Sequence, residues 1–99
     1  MDYKYEFNDI FLKDIDKVIF YLRFNLLNEK AADKLTMEII KSVENIILFP
    51  NSYPDCRKLY IEDQSIRHKR IKNYIIFYKV TEDKVSFLRF RYSKQNIFI

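Results

Sequence analysis

The sequence predicts an α+β domain, with a helical hairpin packed on one face of a small antiparallel sheet in the order β-α-α-β-β-β. Two stretches with apolar residues every three and four positions follow one another before Pro50. Three strand-like segments, bounded by turn residues, crowd the C-terminal half. The chain has 99 residues, 48% hydrophobic and 17% aromatic, so residues 1–99 make one domain with one core.

Residues 3–7 alternate apolar and polar and read as a short first strand. Asn8 or Asp9 can cap the first helix, with Asp14 and Asp16 near its positive end. Phe11, Ile15, Val18, Ile19, Leu22 and Leu26 form its core stripe. Residues 25–28 break that pattern, and Asn28 can cap a second helix. There Ala31, Ala32, Leu35, Ile39, Val43, Ile46 and Ile47 repeat at three and four, until Pro50 stops it. Residues 50–65, with two prolines, read as a loop with a short strand near 58–61. Residues 66–71, 73–80 and 84–92 read as strands, the last two joined as a hairpin by Thr81, Glu82 and Asp83.

Period two sorts the strand faces. Tyr74, Ile76, Tyr78 and Val80 share one side, and Ile75, Phe77 and Lys79 the other. In the last strand Ser86, Leu88, Phe90 and Tyr92 oppose Val85, Phe87, Arg89 and Arg91. The hairpin is thus apolar on both faces, whereas a sheet with one wet face alternates cleanly. The sequence therefore predicts a second apolar face that needs covering, by a partner or by the terminal residues Ile97, Phe98 and Ile99.

Composition excludes several classes. There is no glycine, which rules out glycine-rich phosphate loops and dinucleotide fingerprints; codon bias toward Lys, Ile, Asn, Tyr and Phe accounts for the lack. No apolar run is long enough for a membrane helix, and no signal peptide is recognisable. The lone Cys56 agrees with a reducing cytoplasm, the expected location. Net charge is +4, unevenly spread: residues 1–56 hold seven basic and ten acidic groups, and residues 57–99 hold eleven and four. A basic half points to an anionic target, nucleic acid or an acidic protein.

One His and one Cys, twelve residues apart, make neither a metal site nor a recognisable triad, so no metal or other cofactor is expected. Metal-free RNA cleavage needs a base, an acid and cations round the phosphate. Arg67, Lys69, Arg70, Lys72, Arg89, Arg91 and Lys94 could supply cations, Tyr92 or His68 a proton donor or acceptor, and Tyr74, Tyr78 and Tyr92 stacking surfaces. Tyr74 and Tyr78 fit a core role better than a stacking one, and His68 can simply belong to a charged strand.

The whole chain resembles the RelE/ParE superfamily of type II toxins, which includes plasmid stabilisation toxins. The resemblance rests on Asn28, the paired Ala31 and Ala32 with Leu35, and Ile46 with Leu48, Phe49 and Pro50. The strand Tyr74-Ile75-Ile76-Phe77-Tyr78-Lys79-Val80, with Leu88-Arg89-Phe90, completes it. It implies a small cytoplasmic toxin neutralised by an antitoxin, with no membrane partner and no small-molecule substrate. The antitoxin would cover Ile75, Phe77, Leu88 and Phe90. Two activities are implied: ParE-like poisoning of DNA gyrase and RelE-like cleavage of mRNA in the ribosome. The target would meet Arg67, Lys69, Arg70, Lys72, Arg89 and Lys94, and a nuclease would use Arg91 and Tyr92. The sequence departs from the nuclease pattern where an Arg is common after the position of Tyr74, since Ile75 stands there; Tyr92 and Ser93 stand where His and Gly are frequent. A ParE-like inhibitor is therefore the leading expectation, with the nuclease and an inactive relic or non-toxic basic binding module as alternatives.

Overall fold

A computed structural model describes residues 3–59 and 61–94. Strand β1 (Lys4–Phe7) leads into helix α1 (Asp9–Phe20), which continues as a π-helical turn over Tyr21–Asn25. Helix α2 (Glu29–Leu48) returns, and short 3-10 turns follow at Pro50–Ser52 and Arg57–Leu59. Strands β2 (Ile66–Ile71), β3 (Tyr74–Val80) and β4 (Lys84–Tyr92) complete the chain.

Asn28 caps α2 as expected, its side-chain oxygen accepting the Ala31 N–H at 3.1 Å. Ala32, Leu35, Ile39, Ser42 and Ile46 line the buried face of α2. Phe11 is the buried anchor of α1, with Ile15, Val18, Ile19 and Leu22 packed on the core. Leu26 is more than half exposed instead of extending this stripe. The Leu26 N–H bonds to Tyr21 O, five residues back at 3.0 Å, and that wider turn rotates Leu26 off the stripe.

The sheet order is β1-β4-β3-β2. The two hairpins are antiparallel, but β1 runs parallel to β4, so the sheet is mixed rather than antiparallel throughout. The physical reason is the crossover: a parallel pair cannot close through a tight turn, and here the helical hairpin and two further strands lie between its members. Among the described residues near 58–61 there is no strand; Lys58 and Leu59 belong to the 3-10 turn, with Leu59 and Ile61 N–H both bonded to Cys56 O at 2.9 and 3.1 Å.

A register shift between Phe77 and Tyr78 decides the faces. Phe77 pairs with Arg89 and Tyr78 with Phe87, so Leu88 is the extra residue of a β-bulge. The bulge resets the phase of β4, and Phe90 joins Val85 and Phe87 on the helix side. The main core is thus Phe11, Leu35, Ile39, Ile46, Ile71, Ile76, Tyr78, Val85, Phe87 and Phe90. Tyr78 spans it, its hydroxyl donating to Pro50 O at 2.7 Å. No helix among the described residues is long and apolar enough to cross a membrane.

Candidate target-binding face

The face of the sheet away from the helices carries two cross-strand rows. Arg70, Ile75 and Arg91 make one, and His68, Phe77 and Arg89 the other. Ile75 and Phe77 are fully buried, because the loop after α2 folds over them. The loop is fixed to the free edge of β2 by a bridge between Asp55 and Arg67 and by His68 N–H donating to Pro54 O at 3.0 Å. Cys56, Leu59, Ile61 and Ile66 then close a second, smaller core over Ile75 and Phe77. The open apolar face expected from the sequence is therefore already sealed by the chain itself. Of the four residues assigned to the antitoxin, Ile75 and Phe77 lie in this small core, Phe90 lies in the main core, and Leu88 is half-buried in the bulge. The terminal Ile97, Phe98 and Ile99, the other expected cover, lie outside the described residues.

The loop also brings together the sole Cys and the sole His. Cys56 Sγ lies 3.4 Å from His68 Nδ1. Burial, helped by the Asp55 carboxylate, pushes the Cys56 thiol up to about 12, so it stays protonated beside the ring nitrogen. Burial and then the Arg70 charge hold the His68 imidazole below its ordinary value. A buried thiol of that kind is inert as a nucleophile. Its contribution is to fasten the loop to β2.

The basic residues separate into two groups. Arg67 and Lys69 point to the helix side and serve the fold. Arg67 donates to the Tyr53 carbonyl and to Asn51 O, while Lys69 donates to Ser42 Oγ at 3.1 Å with its ammonium over the Tyr53 ring. Lys72, in the β2–β3 turn at φ 52°, pairs with Glu38 at 3.4 Å. Arg89 is clamped by Asp14 of α1, through Nε at 2.8 Å and Nη2 at 3.2 Å. The same carboxylate accepts Phe90 N–H at 3.1 Å, capping the edge of β4 just past the end of β1. Among the described residues, Arg70, Arg91 and Lys94 have no ion pair or side-chain hydrogen bond, and Arg91 Nε is buried without a partner.

Arg91 and Tyr92 both border a recess of about 270 Å³ at the β4 edge, beside Asp14, Lys17 and Arg89. Tyr92 nonetheless belongs to the helix side, edge-on to Tyr74 at 5.6 Å, and Tyr74 stacks on Phe90. A second cleft, of about 670 Å³, lies between the loop and β2, with Arg57, Lys58, His68 and Arg70 on its walls. Arg57 is bonded back to Asp55. His68 and Arg91 stand on strands separated by β3, roughly 10 Å apart across the sheet.

Sequence reasoning placed Asp14 near the start of α1 but missed its role on β4, and it missed the Cys56–His68 contact and an apolar groove beside β1. That groove, about 360 Å³, lies between α1, α2 and β1, with Tyr5, Phe7, Leu12, Ile40 and Ile47 along it. A partial signal for it existed: α1 carries Ile10 and Leu12 outside its core stripe.

Residues 5–97 match the model of a family described as the ParE toxin of the type II toxin–antitoxin system parDE. Among solved structures, the fold is similar to one described as the chromosomal ParDE toxin–antitoxin system from P. aeruginosa. The TM-score is 0.76 at 14% identity, over 94% of this chain and 98% of that one. No curated protein sequence matches.

Proposed function

Because this chain belongs to the ParE toxin family of type II toxin–antitoxin systems, we propose that it arrests growth by binding DNA gyrase, through Arg70 and Arg91 on the outer face of the sheet and Lys94 in the turn after β4. The observation that carries this over RNA cleavage is the lack of a converging acid and base beside Arg91 among the described residues. Phosphodiester cleavage needs both within hydrogen-bond reach of the reacting atoms. Asp14 is engaged by three N–H donors, and Tyr92 packs edge-on to Tyr74 on the helix side. His68 is held by Cys56, far across the sheet. What remains is a set of unpaired cations on a rigid β-surface, which is a binding face.

As a toxin of a two-component system the chain has an antitoxin partner. Since Ile75, Phe77 and Phe90 are interior, the antitoxin is better served by the groove beside β1. β1 is an edge strand whose outer side is unpaired, so an extended segment can add to it and place apolar side chains in the groove.

The nuclease reading keeps one supporting observation, the recess shared by Arg91, Tyr92 and Arg89. Purified chain assayed in parallel for gyrase supercoiling and for ribosome-dependent mRNA cutting separates the two. Inhibited supercoiling with an intact message is expected. Codon-phased cuts that disappear in Arg91→Ala or Tyr92→Ala would replace gyrase by mRNA as the target. Normal growth after induction without antitoxin would identify an inactive relic.

A further inference from the structure

The tip of the helical hairpin carries the most exposed apolar surface of the described chain. Leu27 is 80% exposed, Phe20 60%, Phe24 59%, Leu26 54% and Tyr21 53%. Phe20 and Phe24 touch each other at 4.7 Å between centroids, on the side of α1 turned away from the sheet. Together these five side chains leave on the order of 600 Å² of apolar surface in water, at the upper end for a whole monomer. The tip is also locally irregular. It combines the π-helical turn with Leu27 at φ 48°, a left-handed conformation that Leu adopts at a cost. The turn it makes ends the helix, with Asn28 N–H bonded to Leu22 O at 2.8 Å, and leaves the leucine side chain in solvent.

From this surface we infer that the hairpin tip is the interface of a two-fold dimer of this chain. Two properties select a second copy over other occupants. First, projection and hollow occur on the same patch. Beside Phe24, whose ring touches Phe20, lies a shallow hollow of about 500 Å³ bordered by Asp16, Lys17, Phe20, Tyr21 and Asn25, while Leu27 projects over a separate recess with Arg23 and Asn28. An isologous contact requires that self-complementarity. Second, the rim holds both signs, with Asp16 beside Lys17 and Arg23 already paired to Asp33 at 3.1 Å. A nucleic acid or an acidic protein would be drawn to the basic half, whereas a rim of mixed sign can face itself. Burying the patch on both copies removes roughly 1,200 Å², the lower limit for a specific interface, so a micromolar dimer is expected. Leu12 in the β1 groove and Phe20 at the end of α1 are about 12 Å apart along the helix, and the two recesses share no lining residue. The inference is independent of the toxin's target.

Sedimentation of the purified full chain from about 1 to 200 µM, without antitoxin, tests this directly. Wild type should pass from monomer to dimer, and Phe24→Asp should weaken the dimer by at least about tenfold. Leu27→Gly supplies a second readout, because glycine relieves the left-handed conformation. It should weaken the dimer as well while raising the melting temperature of the monomer. A wild type that stays monomeric throughout overturns the inference, as does a dimer indifferent to both substitutions. Loss of antitoxin binding in these variants, from a monomeric wild type, would assign the tip to the antitoxin instead.

Discussion

Asp14 is the residue on which the β4 edge depends. Its carboxylate holds Arg89 and Phe90 N–H at once, and both Asp14 and Arg89 are largely buried. Removing it strands a half-buried guanidinium and an edge N–H together, which costs more than the loss of an exposed pair. Asp14→Ala should lower stability by about 2–3 kcal/mol in urea titration. Arg89→Met, which leaves Phe90 N–H bonded, should cost less than half of that; equal losses would contradict the dual role. The sequence displayed the cations but not their allocation. Arg67, Lys69, Arg89 and Arg91 look alike along the chain, and the partner of Arg89 lies 75 positions away. Charge is legible in a sequence, whereas pairing over such a separation is decided only when α1 crosses β4.

At the scale of elements, α2 and the strands were legible because their periodicity is set by one buried face each. The bulge and the loop were not. Alternation within β4 is compatible with two phases, and a single extra residue, Leu88, switches between them. The loop before β2 has no period at all, yet it supplies Cys56, Leu59 and Ile61 to a core of its own. That core has a measurable signature. If Phe77 awaited an external partner, Phe77→Ala would hardly affect the isolated chain. Under the loop, it should cost about 3–5 kcal/mol, as for other large-to-alanine changes in a packed interior. Thermal denaturation of the chain without antitoxin distinguishes the two outcomes.

Across the whole molecule, three surfaces of different character point in different directions. The sheet's outer face is cationic, the β1 groove is apolar, and the hairpin tip is apolar with a mixed rim. On the assignment proposed above, such a division lets one small domain meet its target without using the surface its antitoxin needs. The double change Arg70→Glu and Arg91→Glu should lower target affinity by about tenfold or more at low salt and flatten its salt dependence. Antitoxin affinity, measured by calorimetry on the same variant, should stay within about twofold. A parallel loss of both would mean that one surface serves both partners.

The sheet order has a temporal meaning as well. β4, the last of the described strands, lies between β1 and β3, so β1 has no partner in this sheet until β4 emerges. A ribosome that stalls in the message before β4 releases a polypeptide lacking the central plank of its sheet, with Asp14 and Phe11 deprived of their neighbours. Such a fragment cannot form this sheet, because β1 and β3 both depend on the missing strand.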